Sequence, residues 1–144
     1  MTPDVNVLLA ADRDVHPHHA TAARWLTGVV ASASAADPLT LLPSVVVGYV
    51  RLATGGRVYR PPTLTARALA NVEALLAQPG VRLGAHAGEW PRVVELCTTH
   101  QLAGDILTDA WIAATVLHLG EHLVTFDRGF RRLLPPRHLT VLTP

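Results

Sequence analysis

The sequence predicts an α/β fold whose parallel sheet is covered by helices on both faces. Short apolar runs alternate with longer segments of helical period along the whole chain. Parallel neighbours need long crossover connections, and the helical segments are long enough to supply them. The chain has 144 residues, 49% of them hydrophobic and 16% charged, which predicts one domain over residues 1–144 and excludes disorder through excess charge.

Six helices are predicted from apolar spacing and from the residues that begin or end helices. The third is ambiguous, because its valines favour a strand while its length and the following Gly55-Gly56 favour a helix, which we choose. Ser44 is predicted to cap this helix, and Gly120 to end the last one. The predicted segments are Val5–Ala11, a helix from near His16 through Val30, Val45–Thr54, Thr63–Gln78, Glu89–Leu102 and Thr108–Leu119.

Five strands are predicted, the first of them very short. Pro3 has no N–H for a sheet ladder, so a central strand at this position has room for few residues. The other four are compact apolar runs bounded by proline, glycine or charged residues. They are Leu39–Leu42, Val81–Leu83, His122–Phe126 and Leu139–Leu142.

All 12 basic residues are arginine, and this absence of lysine excludes several classes of function. Phosphate-binding loops that end in Gly-Lys, Schiff-base enzymes and phosphoacceptor receiver domains all need a lysine amine. The single cysteine, Cys97, permits no internal disulfide, so a cytoplasmic location is expected. No apolar run approaches the roughly 20 residues of a membrane helix, and the N-terminus lacks the pattern of a signal peptide.

Three aspartates fall where the carboxyl edge of the sheet is expected. Asp4 follows the first strand, Asp127 follows the fourth, and Asp109 begins the helix before that strand. Carboxylates gathered at one edge repel one another and need a compensating cation. Oxygen ligands without interleaved histidine or cysteine favour Mg²⁺ or Mn²⁺ over zinc. The alternative is structural, since aspartate is common at helix N-termini and in turns.

Three segments in this order resemble the signature blocks of PIN-domain ribonucleases. They are DVNVLL at residues 4–9, TDA at residues 108–110 and LVTFDRGF at residues 123–130. More narrowly, the chain resembles the VapC toxins of type II toxin–antitoxin modules, and the resemblance spans nearly its whole length. It implies a PIN-like α/β/α sandwich with a five-stranded parallel sheet.

The resemblance also implies a function and a site. An acidic pocket would hold Mg²⁺, or Mn²⁺ in its place, and hydrolyse single-stranded RNA. Asp4, Asp109 and Asp127 would be the catalytic metal ligands, directly or through water, with Asn6 and Thr125 orienting the carboxylates. The implied partners are a VapB-type antitoxin whose tail blocks the acidic groove, and a second copy of the toxin in a homodimer or in toxin–antitoxin hetero-oligomers.

The sequence departs from the family pattern at two acidic positions. Gly48 stands where the family has a glutamate, and Gly129 stands where an acid often follows the last aspartate. Asp105 is a possible fourth acid. With fewer carboxylates, we expect one tightly bound ion and at most a transient second. A catalytically weak or inactive domain that binds RNA or the antitoxin is the alternative.

Two arginine-rich segments flank the predicted acidic edge. Arg51 and Arg57 lie in a stretch without acids, and Arg128 and Arg131 follow Asp127 directly. Guanidinium groups placed this way favour contact with an RNA backbone. The alternative is that arginine only replaces lysine on solvated faces.

Overall fold

The computed structural model describes residues 1–84 and 87–143 of the chain. Its strands are β1 (Thr2–Pro3), β2 (Leu39–Leu41), β3 (Val81–Leu83), β4 (Leu123–Thr125) and β5 (Leu139–Val141). Its α-helices are α1 (Val5–Asp12), α2 (His19–Ser32), α3 (Pro43–Thr54), α4 (Thr65–Leu76), α5 (Trp90–His100) and α6 (Ile106–Leu119). Short 3-10 helices cover Arg128–Arg132 and Pro136–His138. Within these two ranges, no helix is long and apolar enough to cross a membrane.

All strand pairs are parallel, as the alternation of strands and helices predicts. One sheet has the order β1-β4-β5 and the other pairs β2 with β3. A backbone hydrogen bond of 2.8 Å from Thr40 N to Met1 O links the two sheets. The five predicted strands are therefore present, divided into groups of three and two.

Pro3 explains both the shortness of β1 and the division of the sheet. The backbone N–H groups of Thr2 and Asp4 donate to His122 O and Val124 O, so β1 is fully joined to β4. Because backbone groups alternate along a strand, those of Pro3 face the other neighbour, β2. Proline has no N–H to donate there. The expectation of a very short first strand is confirmed.

The largest apolar core lies between the three-stranded sheet and the helices α1, α3, α4, α5 and α6. Its most buried large side chains include Leu42, Val45, Ile112, Leu123 and Phe130, each 2% exposed or less. Phe130 comes from the 3-10 helix that follows Asp127, and its burial holds that turn against the sheet. The core thereby fixes the ends of the strands that carry the predicted acidic residues.

Five of the six predicted helix starts are wrong by one to three residues. Helix α3 begins at Pro43, so Ser44 lies inside the first turn, and its hydroxyl is buried without a hydrogen-bond partner. Proline at the first helical position needs no donor, so the helix starts there without a serine cap. Helix α2 begins at His19, because residues around His16 form a turn, and α6 begins at Ile106.

Candidate active site

Asp4 lies at the carboxyl end of β1 and forms the N-cap of α1. Its Oδ1 accepts a hydrogen bond of 2.6 Å from the N–H of Val5, and its Oδ2 accepts bonds from Asn6 Nδ2 at 2.8 Å and from Thr125 Oγ1 at 2.6 Å. The residue is only 6% exposed. Three donors therefore hold a buried carboxylate in one orientation where the strand turns into the helix.

The hydroxyl of Thr125 connects the ends of β1 and β4. It donates to Asp4 and accepts hydrogen bonds from Asn6 Nδ2 at 2.9 Å and from the N–H of Asp127 at 2.9 Å. Asn6 also accepts the N–H of Phe126 at 3.1 Å through its Oδ1. Asn6 and Thr125 thus contact the carboxylate of Asp4, and they also fix the backbone that leads to Asp127.

Asp127 and Asp109 approach this edge from two other elements. Asp127 is exposed, and its Oδ1 accepts a 2.6 Å hydrogen bond from the N–H of Gly129, which orients the carboxylate at the start of the 3-10 helix. Asp109 is partly buried in the first turn of α6. The three acids therefore come from the end of β1, the end of β4 and the beginning of α6.

The three carboxylates act on one another electrostatically. Burial raises the pKa of Asp4 to about 6; hydrogen bonds from Thr125 and Val5 oppose this shift, and the charges of Asp109 and Asp127 add to it. Burial also raises the pKa of Asp109, and the charge of Asp127 raises it further. Such mutual repulsion marks a place where a cation is favourable.

The donor set suits a hard cation that keeps part of its water shell. In the described part of the chain, no three acidic, histidine or cysteine side chains form a group that could hold a metal ion by themselves. Mg²⁺ commonly binds through one or two carboxylates and retains several waters. Oriented carboxylates that share a region without closing into a cage fit this mode of binding.

Both glycines that replace family acids are packed against the site. A Cβ on Gly48 would lie 2.8 Å from a methyl carbon of Val5, because α3 crosses the start of α1 there. A Cβ on Gly129 would lie 3.0 Å from Oδ1 of Asp127. An acid at position 48 would therefore require Val5 to move, so the structure around Gly48 is adapted to the missing side chain.

The other predicted site residues are exposed. Some of them lie next to an acidic residue in the chain, and others lie far from one. Asp105 precedes α6 one turn before Asp109, and its side chain forms no cap on the helix. Arg128 and Arg131 belong to the 3-10 helix directly after Asp127. Arg51 lies in the last turn of α3, and Arg57 lies in the following loop.

The loop of Arg57 is attached to the far end of α1. Arg13, which follows that helix, donates to Thr63 Oγ1 at 2.7 Å, and its guanidinium lies 4.5 Å from the ring centre of Tyr59. Asp4 and Arg13 cap opposite ends of α1, so about 12 Å of helix separates this loop from Asp4. Arg128 and Arg131 lie within four residues of Asp127, whereas the loop of Arg57 contacts the end of α1 that is opposite Asp4.

An apolar groove that the sequence analysis did not predict runs beside α1, between α2 and α4. Its volume is about 560 Å³. Its walls include Leu26, Val30 and Ala31 of α2, and Ala74 and Leu75 of α4. The signal in the sequence that indicates this groove is the apolar face of α2. This face has more apolar side chains than the small domain buries.

Comparison with known proteins decides the family. The PIN domain family model matches residues 1–133. The chain belongs to the PIN-domain family. Its curated relatives lie in the VapC branch: Ribonuclease VapC31 of Mycobacterium tuberculosis is 39% identical over 142 residues, and Ribonuclease VapC25 of the same species is 37% identical over 138 residues, with 94% of each chain covered in both cases.

Solved VapC structures share the fold of this PIN domain. The VapBC2 complex of Rickettsia felis, bound to a DNA fragment from its promoter, aligns with a TM-score of 0.66 and 16% identity over 97% of this chain and 96% of that one. VapC20 of Mycobacterium tuberculosis, a toxin that cleaves the sarcin-ricin loop, aligns with a TM-score of 0.64 and 19% identity over 90% and 92%. The predicted PIN-like α/β fold and VapC resemblance are confirmed.

Proposed function

We propose that this VapC homologue is a Mg²⁺-dependent endoribonuclease that cleaves single-stranded regions of RNA as the toxin of a VapBC module. The observation that carries the proposal is the set of three carboxylates of Asp4, Asp109 and Asp127, which come from separate elements; the charges of Asp109 and Asp127 raise the pKa of Asp4, and that of Asp127 raises the pKa of Asp109. Ribonuclease VapC relatives support the activity, and the acidic donor set supports the metal.

Each acidic residue has a distinct position from which to serve the reaction. A bound Mg²⁺ supplies polarisation of the phosphate and a water of lowered pKa. Asp4 is the fixed ligand, because three donors hold its carboxylate. Asp109 and Asp127 add further negative charge and bind the ion directly or through water. Arg128 and Arg131 follow Asp127 and are placed to contact phosphates of the RNA backbone.

Cleavage of a labelled single-stranded RNA by the purified chain tests the activity and its metal. We expect cleavage with Mg²⁺ or Mn²⁺, and none with excess EDTA, because no protein nucleophile is needed when the metal supplies the water. The same sequence embedded in a duplex should be cut far more slowly. RNA binding without cleavage under any of these ions would instead favour the inactive binding module.

Calorimetric titration of the metal-free protein with Mg²⁺ tests the number of ions. We expect one tight site, since Gly48 and Gly129 supply no carboxylate and the space above Gly48 is filled by Val5. A transient second ion would appear only as a weak, unsaturated phase. Two strong sites in the free protein would contradict this expectation.

We propose a VapB-type antitoxin as the partner of this chain, with the apolar groove between α2 and α4 as part of its contact surface. The similar fold of the VapBC2 toxin–antitoxin complex supports the type of partner. An exposed apolar surface of this kind favours a protein-binding role. A homodimer of the toxin and toxin–antitoxin hetero-oligomers belong to the same proposal.

Substitutions on the groove walls test this surface. Ala31→Glu and Ala74→Glu place a charge on exposed helical positions that line the groove, and we expect each to weaken antitoxin binding at least tenfold. RNA cleavage should stay at the wild-type rate. Ala70→Glu, an exposed position on α4 outside the groove, is the matched control, and equal binding by all three variants would exclude the groove.

A further inference from the structure

Strand β5 is the outer strand of its sheet and has an open edge. The sheet order places β4 on one side of β5, and no strand of the described residues lies on the other. The N–H of Leu142 donates to Thr125 O at 2.8 Å, so the backbone groups of Leu142 face β4. Because these groups alternate along a strand, the N–H and C=O of Val141 face outward.

A cleft lies beside this edge and has an apolar lining. Its volume is about 270 Å³, and its walls are Leu134, Pro136, Leu139, Val141 and Arg131. Leu139 and Val141 are alternate residues of β5, so their side chains share one face of the sheet. The cleft is suited to an apolar side chain, and no aromatic ring lines it on which a base could stack.

Arg131 lines the cleft, and further exposed arginines lie on the two 3-10 helices that precede β5. Arg128, Arg131, Arg132 and Arg137 are exposed, and none of them forms an ion pair with another described residue. A ligand at this edge therefore needs negative charge. A second copy of the chain that paired through this same edge would bring its own arginines against these and would be repelled.

We infer that the β5 edge binds an extended acidic peptide segment of a protein partner, which adds to the sheet as a further strand. The N–H of Val141 would donate to a partner carbonyl, and its C=O would accept a partner N–H. Alternate apolar side chains of the peptide would enter the cleft, and a carboxylate on the same face of the peptide would pair with Arg131. This inference does not depend on nuclease activity, although bound peptide and RNA would compete for Arg131.

A fluorescein-labelled octapeptide with valine at positions 1, 3 and 5 and glutamate at the other positions tests the inference on the full, metal-free chain, because the glutamate at position 7 shares the face of the valines. We expect saturable binding that Arg131→Gln weakens at least fivefold, while Arg24→Gln, an exposed position on α2, leaves it unchanged. In a strand, alternate amides face opposite edges. N-methylation of all odd-numbered amides or of all even-numbered amides should therefore abolish binding in one peptide and preserve it in the other.

Hydrogen exchange at single amides locates the contact. In the free protein, the Val141 amide should exchange rapidly while that of Leu142 is protected, and peptide binding should slow Val141 exchange at least tenfold. A Val141 amide that is already protected, or that is unaffected by bound peptide, would overturn the inference. So would a chain that binds RNA through Arg131 but does not bind the peptide, since the surface would then serve RNA alone.

Discussion

Asp109→Asn should reduce the rate of RNA cleavage by on the order of a thousandfold, because metal-held charge supplies several kcal/mol of transition-state stabilisation. The change removes a charge without changing the size of the side chain. Asp109 has no hydrogen bond among those that hold Asp4 in place, so the remaining site keeps its geometry. Initial cleavage rates at saturating Mg²⁺ measure the effect.

Substitution of Asp109 tests the effect of a lost carboxylate charge more directly than substitution of Asp4 does. In Asp4→Asn, an amide NH₂ in the place of Oδ2 would face the Nδ2 donor of Asn6, so lost hydrogen bonding would accompany the lost charge. Asp37→Asn, an exposed position in the turn before β2, is the matched control and should cleave at the wild-type rate. Undiminished cleavage or growth arrest by a folded Asp109→Asn protein would remove the metal-hydrolysis mechanism.

The grouping of the acids could be predicted because parallel strands end at one edge of a sheet. Asp4 and Asp127 directly follow apolar runs, and this local pattern is visible without a structure. The sharing of one Thr125 hydroxyl by Asp4, Asn6 and the Asp127 backbone depends on residues about 120 positions apart. Neither spacing nor propensity can give such a contact.

The structural effect of glycine at position 48 also could not be predicted without the fold. In the sequence, Gly48 shows only that an acidic side chain of the family is missing at this position. In the structure, the position lies against Val5, so the space for the acid is missing as well. Close helix contacts are set by the crossing of α1 and α3, and the hydrophobic pattern of either helix alone does not report where they cross.

The helix starts were less predictable than the helices themselves. Ser44 is a common capping residue, yet the helix begins one residue earlier at Pro43. Local preferences for caps amount to about 1 kcal/mol, and tertiary packing outweighs them. Leu42 and Val45 on either side of this start are fully buried, so the core sets the position of the helix.

The stability of the metal-free protein should decrease as pH rises from about 4 to about 7, because Asp4 has a folded pKa of about 6 against 3.8 for a free side chain. Below both values the carboxyl is protonated in the folded and unfolded chains. Above the folded value it is ionised in both, and burial then disfavours the folded state. The full effect is about 3 kcal/mol at neutral pH. Asp109, whose pKa is also raised, acts in the same direction.

Chemical denaturation in EDTA between pH 4.5 and 7.5 measures this slope. His16 acts oppositely, since burial lowers its pKa and the charges of His18 and His19 lower it further, so His16→Gln should make the decrease steeper. A carbon-13 titration of the Asp4 carboxyl should show a midpoint near 6 without metal and a lower one with saturating Mg²⁺, because a dication favours the charged form. A midpoint near 4 in the metal-free protein would show that Asp4 is solvated. This result would exclude Asp4 as a buried metal ligand at the centre of the site.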